Sequence, residues 1–189
     1  MAYPNLSSYV PVVIGVTDGP TLTNVGAASC IPVASRIILP NNYWTVGKQW
    51  RVRMQGRISC AVTTPGTARF DFRTGPTGTI IAFDTGPINL NVVAKTNVPW
   101  QIEFQLTCRA VGTGVGSLLF GMGQFSSEAV VGAPLPSAGG NGSVMVPVGA
   151  PAVGAGYDNT AANAVDIFFT QTALGGALTV HNYMIFESM

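Results

Sequence analysis

Charge is what this sequence most lacks. Nine Lys and Arg and eight Asp and Glu among 189 residues make 9% charged side chains, against 47% hydrophobic ones, where an ordinary soluble domain carries roughly 25% charged residues. Charged side chains keep a surface solvated and discourage association, so a chain this poor in them is expected to have much of its surface covered by neighbours. The few charges are scattered with no run of either sign and a net of +1, which argues against nucleic acid as a partner. No window approaches the roughly 18 uninterrupted apolar residues of a membrane-spanning helix, so no membrane partner is expected. The stretch Met1 to Val16 has no Lys or Arg ahead of its apolar residues and contains Pro4 and Pro11, unlike a secretory signal.

Catalytic and ligating side chains are equally scarce. His181 is the single histidine, and the sequence places no carboxylate to orient it. The three cysteines, Cys30, Cys60 and Cys108, are an odd number without close spacing, against a disulfide framework or a zinc ribbon; they read as reduced thiols packed as small hydrophobes. No G-x-S-x-G elbow occurs, and the Gly-rich pieces 112–116 and 139–142 are not followed by Lys-Ser/Thr, so they read as turns rather than a phosphate cradle. The acids are dispersed, with only Asp71 and Glu103 in mid-strand positions, both interleaved with arginine; pairing with Arg53 or Arg57 is the expected use of them. The sequence therefore predicts no enzyme, no cofactor, no metal and no small-molecule substrate.

What is present is period-two alternation. Trp50, Val52, Met54, Gly56, Ile58, Cys60 and Val62 share one face, while Gln49, Arg51, Arg53, Gln55, Arg57 and Ser59 share the other, as a half-buried strand requires. Ala68, Phe70, Phe72 and then Trp100, Ile102, Phe104, Leu106, Cys108 repeat the pattern. Weaker strands are expected over 33–39, 79–83 and 116–125. Gly175-Gly176 suits a two-residue turn, predicting a closing hairpin in which Phe169 pairs with Asn182, Ile167 with Met184 and Val165 with Phe186. About eight strands with no helical periodicity predict an all-β fold, a jelly-roll-like antiparallel β-sandwich over 33–189 as one domain. An immunoglobulin-like sandwich is the runner-up, without the Cys, Trp, Cys spacing that would support it.

Two stretches lack alternation. Residues 1–32, with Pro4, Pro11, Pro20 and Pro32, are expected to form an extended N-terminal arm or lead-in. Residues 126–162 are expected to form one long Gly/Ala/Pro-rich loop, which keeps enough valine, including Val144, Val146 and Val148, to need a surface to lie on. That surface is either its own sandwich or a neighbouring subunit. Candidate partner contacts are Tyr3, Tyr9 and Val10 in the arm and Val144 and Val146 in the loop.

The segment Asn41-Asn42-Tyr43-Trp44-Thr45-Val46-Gly47-Lys48 leading into 49–62, followed by 67–75, Val98-Pro99-Trp100 to Arg109, 163–170 and 178–187, resembles the jelly-roll virion proteins of tailed bacteriophages, capsid cement or decoration subunits and related tail components. The resemblance is one of strand lengths and residue types across 36–187. It implies a structural role on the capsid surface of a virion, made in the host cytoplasm, with the major capsid protein and copies of itself as partners in a homodimer or homotrimer. A tail, fibre or head-spike component with a host-binding face is the alternative it leaves open.

Overall fold

The computed structural model describes residues 9–61, 64–130 and 142–188. Twelve strands account for most of them: β1 (Tyr9–Ile14), β2 (Gly26–Ser29), β3 (Ile37–Leu39), β4 (Gln49–Cys60), β5 (Thr67–Thr74), β6 (Ile80–Asp84), β7 (Ile88–Asn89), β8 (Lys95–Ala110), β9 (Leu118–Ser127), β10 (Gly142–Val146), β11 (Asn163–Gln171) and β12 (Ala177–Ser188). One six-stranded path runs β1-β12-β4-β8-β9-β10, and the facing sheet runs β2-β11-β5-β6, with β3 beside β11 and β7 beside β5. Every named pairing is antiparallel.

The topology is that of a jelly roll. Its nested pairs are β1 with β12, β2 with β11, β4 with β8 and β5 with β6, the pattern of one long hairpin rolled into two facing sheets. Strands β9 and β10 widen the first sheet beyond β8.

The alternation seen in the sequence becomes the inner face of this sandwich. Trp50, Val52, Met54 and Ile58 of β4 and Trp100, Ile102, Phe104 and Leu106 of β8 are buried against Phe70 and Phe72 of β5 and Val165, Ile167 and Phe169 of β11. Phe70 lies at the centre, with ring centroids 5.2 Å from Trp100, 5.2 Å from Phe169 and 5.7 Å from Phe125. Each such side chain contributes roughly 1.5–3 kcal/mol by leaving water, and the offset and tilted ring geometries add to that.

The expected closing hairpin does not form. Strand β11 pairs with β5 and β2, and β12 pairs with β4 and β1, so the Gly175-Gly176 connection crosses from one sheet to the other. The apolar faces of the two strands do meet, but across the core rather than side by side. A Gly-Gly turn with matched apolar faces satisfies both arrangements, which is why pattern alone does not separate them.

The stretches without alternation carry more strand than their sequence suggests. Between residues 9 and 32, where a lead-in is expected, β1 and β2 supply an edge to each sheet. Pro11 and a register shift between Pro11 and Val13 interrupt the pattern of β1, as prolines and bulges do on edge strands. Within 126–162, β9 ends at Ser127 and β10 begins at Gly142. Beyond it a strap lies on its own sandwich: Val148 N donates to Thr85 O, Ala155 N to Ile81 O and Gly154 N to Leu119 O. It thereby stitches β6 of one sheet to β9 of the other, and buries Tyr157 completely.

Candidate binding face of the six-stranded sheet

Strand register aligns the outward side chains of the six-stranded sheet into rows. One row is Asn182, Gln55, Gln101, Ser126 and Ser143, contributed in order by β12, β4, β8, β9 and β10. The next is Ile14, Met184, Arg53, Glu103, Gln124 and Met145. A third is Pro11, Phe186, Arg51, Gln105 and Met122. At roughly 4.8 Å between strands, the five-strand amide and hydroxyl row spans about 19 Å.

Neighbouring polar groups in these rows hold one another. Gln55 Nε2 donates to Gln101 Oε1 at 3.3 Å, Asn182 Nδ2 to Gln55 Oε1 at 3.5 Å, and Ser126 Oγ to Ser143 Oγ at 3.2 Å; Gln124 Nε2 donates to Ser143 Oγ. An amide has two donor hydrogens and two acceptor lone pairs, so each keeps capacity toward solvent. A depression of about 390 Å³ opens over Arg53, Gln101, Glu103, Gln124, Ser126 and Met145. Others adjoin it, over Arg51, Arg53, Glu103 and Phe186 on one side and Gln55, Pro99 and Gln101 on another.

The charges of this face do not balance. Arg51, Arg53, Arg57 and Arg109 stand against Glu103 alone in the outward positions of β4 and of β8 from Gln101 on, and the Arg109 guanidinium lies 4.3 Å from the centre of the Phe120 ring. Glu103 accepts from Arg51 Nε at 2.9 Å, and Arg57 donates to the Asn97 carbonyl at 3.1 Å. Arg53 makes neither a hydrogen bond nor an ion pair to any described residue and is exposed. At the margin Glu128 is paired with Lys95 at 3.7 Å. The expected pairing of Glu103 with Arg53 or Arg57 is thus corrected to Arg51, which reaches diagonally across the β4–β8 pair and donates from both Nε and a terminal nitrogen to one carboxylate oxygen.

The opposite sheet treats its charges differently. Asp71 is held by Arg73 at 2.8 Å, Asp84 by Arg69 Nε at 2.7 Å, and Asp166 by Arg36 at 2.7 Å. Ser29 Oγ also donates to Asp166 at 2.6 Å, and the Arg73 guanidinium lies 3.9 Å from the centre of the Phe168 ring. Burial pushes the Asp166 carboxyl above the usual range, outweighing Ser29 and Arg36. Here three arginines and three aspartates neutralise one another.

His181 occupies a register shift between Val180 and Asn182, and the structure supplies the carboxylate that its sequence neighbourhood lacks. Its Nδ1 is 3.0 Å from Asp18 Oδ2, because the segment after β1 continues along β12 through bonds from Gly15 N to Tyr183 O and Gly19 N to Val180 O. Both side chains stand in solvent. Cys30, Cys60 and Cys108 are free and buried, and burial raises all three thiols above their ordinary value, which keeps them protonated. Among the described residues no three His, Cys, Asp or Glu side chains gather to hold a metal, and no helix is long and apolar enough to cross a membrane.

Of the expected partner contacts, Val10 is exposed on β1, Val144 is partly buried against the core, and Val146 is completely buried inside its own sandwich. Tyr9 lies in β1 opposite Ser188, and Tyr3 is outside the described residues. A cluster with no signal in the sequence joins the strand ends: Trp50 Nε1 donates to Tyr43 Oη at 3.0 Å, Tyr43 Oη donates to Glu187, and Lys48 Nζ lies 2.9 Å from Glu187. Its parts are 144 residues apart in the chain.

No family model and no curated protein matches this sequence. Among solved structures, the CBM2 module of the evolved Dit of Lactobacillus casei BL23 phage J-1 is similar over 81% of this chain and 68% of its own, at 10% identity and a TM-score of 0.28. A likeness of that size does not bear on what the face binds.

Proposed function

We propose that this chain is a bacteriophage virion structural protein that acts without catalysis as a capsid cement, seating on the outer capsid surface and bridging neighbouring subunits of the major capsid protein, with further copies of itself completing the contacts. The observation that carries the reading is the uncharged edge strand β1, where Val10 and Ile14 are 41% and 56% exposed, followed by Val16 at 88%. A lone soluble domain blunts such an edge with charge, proline or a bulge; β1 has Pro11 and its register shift, which interrupt strand pairing, but no charged residue to solvate its apolar side chains. Val33, Ile38 and Leu174 add exposed apolar surface elsewhere. In a chain with 9% charged residues, such surfaces suit burial between subunits.

The test is the composition and endurance of purified particles. Hundreds of copies per particle, and particles lacking the chain that fall apart sooner on heating or dilution, are the expected results. Particles without the chain, or unaffected by its loss, would overturn the reading. A few copies co-purifying with tails would select the second reading, a tail, fibre or head-spike component, which the open polar face of the six-stranded sheet favours.

A further inference from the structure

We infer that the outward face of the six-stranded sheet binds an anionic glycan, a hydroxyl-rich sugar chain bearing carboxylates, laid across the strands along the Asn182–Ser143 row with Arg53 as the anion anchor. The inference does not depend on the cement role and is tested on the isolated chain, so either can fail without the other.

The chemistry of the two central rows selects the ligand. Sugar hydroxyls each donate and accept, and side-chain amides and hydroxyls do the same. Gln55, Gln101, Gln124, Ser126 and Ser143 present such groups on adjacent strands, already oriented by their mutual hydrogen bonds. Groups fixed in place before binding lose little freedom when a ligand arrives. The depression over Arg53, Gln101, Gln124 and Ser126 is open at both sides onto neighbouring depressions, as a chain polymer needs.

Charge gives the sign. Of the four arginines, Arg51 is held on Glu103, Arg57 on a backbone carbonyl and Arg109 over the Phe120 ring, leaving Arg53 with its planar donor fork uncommitted, suited to a carboxylate taken in bidentate fashion. The contrast with the facing sheet, where arginines and aspartates are matched, makes this the face with cationic surplus. That surplus is too small for nucleic acid, whose binding rests on neutralising many phosphates.

The layout also disfavours a protein partner. Protein interfaces have an apolar centre and a polar rim. In its two central rows this face is inverted: Arg53, Glu103, Gln101 and Gln124 form the middle, while Ile14, Met184 and Met145 lie toward the two edges.

The experiment titrates the full chain with oligogalacturonate, hyaluronan and alginate oligosaccharides. Cello-oligosaccharide serves as the neutral chain and polyglutamate as the anionic peptide. Calorimetry reads affinity and NMR shift changes read location. Saturable binding to at least one anionic glycan is expected, weakening with salt and perturbing β4, β8 and β9. Arg53→Ala should weaken it at least tenfold, as should the double change Gln101→Ala with Gln124→Ala, while Thr170→Ala on the facing sheet leaves it unchanged. All the altered side chains point outward, and melting curves verify the fold of each variant. Failure of every anionic glycan to bind, equal binding of the cello-oligosaccharide or of polyglutamate, or retention by Arg53→Ala would each overturn the inference. So would sedimentation showing self-association that Arg53→Ala abolishes, which would give the face to a second copy.

Discussion

Glu103 stands opposite Arg53 in the β4–β8 register, yet its carboxylate is held by Arg51, one outward position along β4. The two arginines therefore differ in what they do for the fold. Since both partners of the Arg51–Glu103 pair are about two-fifths exposed or more, at 46% and 40%, a double-mutant cycle should give a coupling of about 0.2–1 kcal/mol. Arg53→Ala should leave stability within about 0.5 kcal/mol of the parent. Urea denaturation of the variants checks both, and a strong Arg53–Glu103 coupling would contradict the assignment.

Phe70 should be among the costliest core residues to truncate. Its ring meets Trp100, Phe125 and Phe169, drawn from three other strands in both sheets. Phe70→Ala should lower stability by about 3–5 kcal/mol, read as a drop in denaturant midpoint. A loss below about 1 kcal/mol would show that the neighbouring rings collapse into the space.

Gly56 is required by proximity rather than by turn geometry. A Cβ there would lie 1.9 Å from the Thr179 carbonyl oxygen, where β12 shifts register beside β4. Gly56→Val should destabilise by about 1–3 kcal/mol through forced strand separation. An unchanged melting temperature would refute this.

Glu187 should make stability depend on acid. Burial raises its carboxyl, but the Tyr43 hydroxyl and the Lys48 ammonium together outweigh that and hold it below the usual glutamate range. A depressed folded value means the stabilisation is present above the unfolded value and is lost as pH falls through the folded one. Glu187→Gln should therefore cost roughly 1 kcal/mol near pH 7, and parent and variant should converge as the pH falls below the ordinary glutamate range and through the folded value. A difference that stays constant across that window would contradict the mechanism. The contribution of Asp166, raised by burial, has the opposite sign and cancels in the comparison.

The long strands β4, β5 and β8 are legible in the sequence because their large apolar side chains fall on one face, so period two survives even where Asp71 on the other face of β5 is buried. Strands β1 and β2 are not, since Pro11 and the run Gly-Ala-Ala-Ser carry almost no alternating contrast. The pairing of β11 and β12 is misread for a different reason: apolar faces match equally well across a core and along a sheet. At the candidate face, the outward Gln and Arg residues are visible as a stripe, but their rows depend on register between strands far apart in the chain, as in Asn182 and Gln55, which are separated by 127 residues. The same holds for His181 with Asp18 and Tyr43 with Glu187, which only the rolled topology brings together.

That rolled topology also sets the order in which the molecule can be made. Strand β12 bonds to both β1 and β4, so a growing chain carries a vacant lane in its first sheet until residues 177–188 have left the ribosome. Until then β4 keeps an open hydrogen-bonding edge, and closing it joins segments separated by most of the chain, a slow step for the unfolded ensemble. During that wait the nascent polypeptide is at its most adhesive, so synthesis in crowded clusters, with many copies emerging together, is the circumstance in which strand exchange between molecules competes with correct closure.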